Sequence, residues 1–216
     1  MNLKQIAMLL IPLLIIPITL YGVSWFGNDA GNAIIGLAFF TGFIKFADMK
    51  ERKLMLSLAI FAMVFETASV ALGAYKYTNS FLIPFWIPIG WGLVGLYIIK
   101  NKSAFERVGK TATLILIALL YLAVLGISGF STNAIIASVM AAAGTYAISL
   151  SSKLPPATFL FTGFLGILIE FAGTGMGTWS YLDSAGLPIS APFAVLGMSY
   201  AAVFAFGTWV SRIDEA

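Results

Sequence analysis

The sequence predicts an all-α, polytopic membrane protein of about eight transmembrane helices, arranged as two tandem four-helix repeats in parallel orientation. Three observations carry that prediction. Of the 216 residues, 60% are hydrophobic and only 10% are charged, against about 25% charged in soluble domains. The apolar residues gather into eight segments near the length a bilayer requires. Residues 66–88 also reappear at 170–192 after a shift of 104.

The apolar segments lie at about 6–26, 32–47, 54–74, 82–99, 111–128, 133–150, 156–177 and 188–210. Connectors marked by Gly, Pro, Asn or charge separate them. A spanning helix needs roughly 20 apolar residues, and its backbone must satisfy itself because lipid supplies no hydrogen bonds. The first segment follows Lys4 and has the outline of a secretory signal. It is long for one and lacks a clear small-x-small cleavage site, so it reads as the first membrane helix. The second and sixth correspond through Asn32-Ala-Ile-Ile and Asn133-Ala-Ile-Ile. The third and seventh carry Glu66 and Glu170, and the fourth and eighth open on Pro84, Pro88, Pro188 and Pro192. The fifth begins after the basic run that ends at Lys110.

Charge sets the topology. Lys4, Lys45, Lys50, Arg52, Lys53, Lys100, Lys102, Arg107, Lys110, Lys153 and Arg212 all fall on one side of an eight-helix chain, and only Lys76 falls on the other. Positive residues mark the cytoplasmic side. Both termini are therefore expected in the cytoplasm and the chain in the cell (inner) membrane. The net charge of +3 is thus topological, and no nucleic-acid partner is expected.

In the comparison of 66–88 with 170–192, seven of 23 positions are identical: Glu66/Glu170, Ala68/Ala172, Gly73/Gly177, Tyr77/Tyr181, Ser80/Ser184, Pro84/Pro188 and Pro88/Pro192. Residues 1–104 and 105–216 form the two expected units of one membrane domain. Each unit has an even number of helices, so the pair shares one orientation about an axis along the membrane normal.

The chain contains no cysteine and no histidine. That removes thiolate nucleophiles, the commonest general base and the commonest metal ligand. No metal and no cofactor are expected, and proton chemistry falls to carboxylates, lysines, tyrosines or water. Glu66 and Glu170 are the candidates, because an ionisable group within a membrane helix costs about 2.5–3.5 kcal/mol on insertion scales and marks function. Each sits on a stripe of small residues: Ala59, Ala62, Glu66, Ser69 and Gly73, and Gly163, Gly166, Glu170, Gly173 and Gly177. Small residues let helices approach closely, so the two stripes are expected to face each other and bring the carboxyls together. The bland alternative is a pair of protonated glutamates that hold the halves together.

Tyr75, Tyr77, Trp179 and Tyr181 follow the glutamates. They suit either an interfacial aromatic belt or lids over the carboxyls that stack on an unsaturated or cationic substrate. Trp86 and Trp91 are expected to wall a cavity in the first half only, since Ser190 and Val195 replace them in the second. Gly173-Thr-Gly-Met-Gly177 has the composition of a phosphate loop, but it follows no strand.

The run from Glu170 through Gly177, Trp179 and Tyr181 to Pro188 and Pro192 resembles a stretch of the membrane carotenoid hydratases and, more distantly, the small membrane lycopene cyclases. The resemblance implies carotenoid-biosynthesis chemistry. A carboxylic acid, here Glu170, protonates a polyene double bond, and water or an internal alkene captures the cation near Trp179 and Tyr181. The absence of histidine and the recurrence of the pattern at Glu66–Pro88 depart from that family. The expected function is an integral membrane enzyme acting on an isoprenoid or other lipid, a hydrophobic small-molecule substrate drawn from among membrane lipids. A proton- or cation-coupled carrier (transporter) and a structural subunit are the alternatives.

Overall fold

A computed structural model of the chain describes residues 3–78, 80, 83–128, 132–181 and 191–213. Helices dominate it. In chain order they are α1 (Leu3–Phe26), α2 (Asn28–Thr41) continued by a π-helical turn over Gly42–Phe46, α3 (Met49–Ala71), α4 (Trp86–Lys100), the single turn α5 (Lys102–Phe105), α6 (Lys110–Ser128), α7 (Thr132–Leu150), α8 (Pro156–Gly175) and α9 (Ala191–Ser211). By length and composition α3, α7 and α8 can cross a membrane. Shorter apolar helices run over Leu14–Phe26, Trp86–Lys100, Lys110–Gly126 and Val195–Ser211.

Each of the eight apolar segments holds a helix, with shifted ends. Helix α3 starts at Met49, ahead of residue 54, because Asp48 and Glu51 form a reciprocal capping box: the Glu51 amide donates to Asp48 Oδ1 at 2.9 Å and the Asp48 amide to Glu51 Oε2 at 2.8 Å. That satisfies two amides which would otherwise lack partners. Arg52 completes the junction by donating to the carbonyls of Phe43, Ala47 and Ile44, left open by the preceding turn. Glu51 also pairs with Lys100 Nζ at 2.8 Å, fastening the start of α3 to the end of α4.

Helices α3 and α8 end in the same way. After α3, the Gly73 amide donates to Val70 and the Ala74 amide to Ser69. After α8, the Gly177 amide donates to Thr174 and the Thr178 amide to Gly173. This is the Schellman pattern, which needs a left-handed residue. Gly73 and Gly177 supply it with φ of 73° and 68°. Position for position, the bonds coincide after a shift of 104.

The reversal delivers two short strands, β1 (Tyr75–Tyr77) and β2 (Trp179–Tyr181), a departure from the all-α expectation. They pair antiparallel with Tyr75 opposite Tyr181, Lys76 opposite Ser180 and Tyr77 opposite Trp179. The pair is extended by the Thr78 amide, which donates to the Thr178 carbonyl at 2.9 Å. Helix α4 begins at Trp86, later than residue 82, so Pro84 precedes it and only Pro88 lies within its first turn. Pro188, Ser190 and Asp183 lie outside the described residues.

Helix α9 packs against α3, α7 and α8, while α3 also packs on α4, α4 on α2, and α2 on α1. The main core joins Leu54, Met55, Leu58 and Ala62 of α3 to Ile98 of α4 and Phe204 of α9. The glycine stripe of α8 packs on α9: a Cβ at Gly163 would strike the Gly197 carbonyl at 2.9 Å, and one at Gly166 would strike the Tyr200 ring at 2.3 Å. The two stripes therefore do not form a common seam as expected. Helix α9 takes up the small-residue face of α8, because its own Gly197 lets the backbones approach.

Candidate functional site

Glu66 and Glu170 are buried, at 5% and 8% exposure. Each carboxyl accepts three hydrogen bonds. Glu66 Oε2 accepts from the hydroxyls of Tyr75 and Tyr77, the latter at 2.8 Å, and Glu66 Oε1 accepts from Trp91 Nε1 at 3.3 Å. Glu170 Oε2 accepts from Trp179 Nε1 at 2.9 Å and the Tyr181 hydroxyl at 2.5 Å, and Glu170 Oε1 accepts from the Tyr200 hydroxyl at 3.1 Å. The donors nine and eleven residues downstream are equivalent in the two halves.

Local chemistry explains this arrangement. The glycine reversal turns the chain back along its own helix, and in a strand alternate side chains share one face. Tyr75 and Tyr77 thus point together at Glu66, and Trp179 and Tyr181 at Glu170, while Lys76 and Ser180 face outward and are exposed. Across the strand pair the rings interlock edge to face, Tyr75 on Tyr181 at 5.6 Å and Tyr77 on Trp179 at 5.8 Å. Such cross-strand aromatic pairs stabilise a short ribbon. Burial, followed by the adjacent Glu66 carboxyl, pushes the Tyr77 hydroxyl well above the ordinary phenol range. Burial and Glu170 do the same to Tyr181. Both remain protonated donors.

The third donors break the symmetry. Trp91 comes from α4 and Tyr200 from α9, and Tyr200 lies opposite Leu96, not Trp91, under the shift of 104. Their rings stack at 4.2 Å with 19° between planes. Each carboxyl thus bonds one ring of this stacked pair. Tyr200 escapes sequence reasoning because nothing about a tyrosine in an apolar span specifies contact with a glutamate 30 residues earlier.

The cluster lines a cavity of about 750 Å³ walled by α1, α2, α4 and α8. Of the candidate residues, Glu66, Tyr77, Trp86, Trp91, Glu170 and Trp179 line it, together with Tyr200. Tyr75 and Tyr181 instead support the carboxyls from behind. Trp86 touches neither carboxyl; its Nε1 donates to Asn28 Oδ1 at 3.2 Å, fixing the wall between α4 and α2. The remaining lining is largely aliphatic, including Leu20, Ile35, Leu93 and Leu165. Of the four aromatics that follow the glutamates, Tyr75, Tyr77 and Trp179 are less than a tenth exposed, so they do not form a belt facing lipid.

An ionised carboxyl offers about four lone pairs. Three are engaged at each glutamate, and the spare capacity is on Oε1, the oxygen next to the Trp91–Tyr200 stack. Each glutamate is thus held rigidly with one site open to give or take a proton. Among the described residues no three His, Cys, Asp or Glu side chains converge. Comparison with protein-family models, curated proteins and solved structures finds no significant match.

Proposed function

We propose that the chain is a multi-pass membrane enzyme acting on a double bond of an isoprenoid or other lipid, with Glu66 and Glu170 as its acid and base. The observation that carries this reading is the pair of triply bonded carboxyls lining one apolar cavity. In this reading the helices form eight spans in two parallel four-helix units, with both termini on the cytoplasmic side of the inner membrane.

The chemistry follows from the groups present. A protonated Oε1 delivers its proton to an alkene carbon, leaving a cation beside the stacked Trp91 and Tyr200 rings and the second carboxylate. Aromatic faces and a carboxylate stabilise positive charge. Water then adds while the second carboxylate accepts its proton, giving net hydration. Alternatively an internal alkene adds and a carbon-bound proton leaves to that carboxylate, giving cyclisation. Rigid donors fix the geometry before the charge develops, which is where catalytic hydrogen bonds act most strongly. The largely aliphatic lining supports this reading over a carrier for a small polar solute, which would need polar walls.

Glutamine replacement tests it. Gln keeps one acceptor and gains an NH₂ that cannot exchange the catalytic proton. At Glu170 the NH₂ can face Tyr200, whose hydroxyl accepts; at Glu66 it can face Tyr75 and Tyr77, while Trp91 keeps an oxygen. Both variants should therefore fold. Membranes bearing wild-type protein should convert an isoprenoid polyene to a product heavier by one water or to a cyclised isomer. Glu170→Gln should abolish this, and Glu66→Gln should cause an equal or smaller loss. Full turnover in both folded variants would reduce the glutamates to packing residues.

A further inference from the structure

The end of the cavity remote from the glutamates carries polar groups that the chemistry above leaves unused. Lys100, the last residue of α4, lines it. Its side chain is 37% exposed, and its Nζ spends one contact on Glu51, leaving two of three ammonium donors. One turn earlier Tyr97 also lines the cavity, and its buried hydroxyl has no hydrogen-bond partner. Residues three apart share a helix face, so hydroxyl and ammonium act on one region.

Buried polar atoms are nearly always hydrogen-bonded, and an exception needs an explanation. Such an exception on the wall of an apolar cavity, one helical turn from a cation at its rim, describes the complement of an anionic head on an apolar chain. The nine residues from Trp91 to Lys100 span about 14 Å of helix, so head and glutamates are separated by a stretch of hydrocarbon.

We infer that the cavity binds a single-chain amphiphile whose phosphate or carboxylate head sits at Lys100 and Tyr97 and whose far end lies between Glu66 and Glu170. The assignment rests on the reading of the cavity as the substrate site. It places the reaction at the end of the chain remote from the head. The head site selects amphiphiles over hydrocarbons that lack one.

The test uses the full chain in uncharged detergent with parinaric acid, a conjugated tetraene carboxylate that takes up tryptophan emission, and its methyl ester. Trp86, Trp91 and Trp179 line the cavity and serve as donors. The acid should bind about tenfold more tightly than the ester, as expected for a hydrogen-bonded charge. Lys100→Met should remove that preference, Lys100→Arg should restore it, and Tyr97→Phe should weaken the acid alone by a smaller factor. Because Lys100→Met strands the buried Glu51, the loss should recur in the double variant Glu51→Gln/Lys100→Met, where no charge is stranded. Displacement of the probe by an isoprenyl monophosphate but not its alcohol identifies an isoprenoid source, and displacement by fatty acid alone identifies an acyl source; either supports the head site. Equal binding of acid and ester overturns the head assignment and leaves the cavity reading intact. Absence of energy transfer with both probes overturns the cavity reading itself.

Discussion

Gly173 lies beneath the Trp179 indole, and the contact leaves no room for a side chain. A Cβ at this position would fall 2.1 Å from two carbons of the ring, where carbon atoms in contact need about 3.5–4.0 Å. Gly173→Ser must therefore push the indole away by more than an ångström and break its 2.9 Å bond to Glu170 Oε2. Overpacking costs about 1–3 kcal/mol, and loss of a hydrogen bond to a carboxylate costs about 1.5–3 kcal/mol. The sum, about 2.5–6 kcal/mol, lowers the melting temperature by about 5–24 °C for a chain of this length. The equivalent pair in the first half is Ser69 with Tyr75, a larger helix residue under a smaller ring. Trp179→Tyr should accordingly make room for the hydroxymethyl group that Gly173→Ser introduces. The double variant should unfold within about 1 kcal/mol of Trp179→Tyr alone, a strong coupling for a double-mutant cycle. Thermal unfolding in detergent, followed by tryptophan emission, measures all four corners. If Gly173→Ser melts like wild type, the indole does not rest on this glycine; if the two changes simply add, the size exchange between the halves has no physical basis.

Two further outcomes are expected. Gly177→Ala meets no atom within 4 Å, so its cost is conformational: a φ of 68° suits alanine poorly, by about 1–2 kcal/mol, and Asn should be tolerated better, with thermal melts as the readout. Reporter fusions after Arg212 and within residues 101–110 should read cytoplasmic and one at Asp183 external; an external C-terminus would refute the eight-span arrangement.

The sequence alone determined the features that depend on local or periodic signals. Hydropathy located each helical segment, since an apolar run long enough to be helical announces itself whatever it packs against. The costly burial of an acid singled out Glu66 and Glu170, and the shift of 104 paired each with its aromatics and its terminal glycine. The same signals left the aromatic role undecided. A Tyr-Lys-Tyr triplet after a helix serves an exposed belt and an inward clasp equally well until its strand partner, 104 residues away, is known.

Only the tertiary structure decided where distant faces meet. The small-residue stripes of α3 and α8 look like partners because they match in sequence, yet α8 packs on α9, where Gly197 permits closer approach. The same packing brings Tyr200 of α9 to Glu170 and stacks its ring on Trp91, the third donor of Glu66. The unpartnered hydroxyl of Tyr97 is equally invisible in one dimension, because lacking a partner is a property of a cavity wall. Periodicity encodes which side of a helix is apolar and how far it runs. Which helix covers that side is set by close packing among all the elements at once, and from that packing came both the cavity and the third donor of each glutamate.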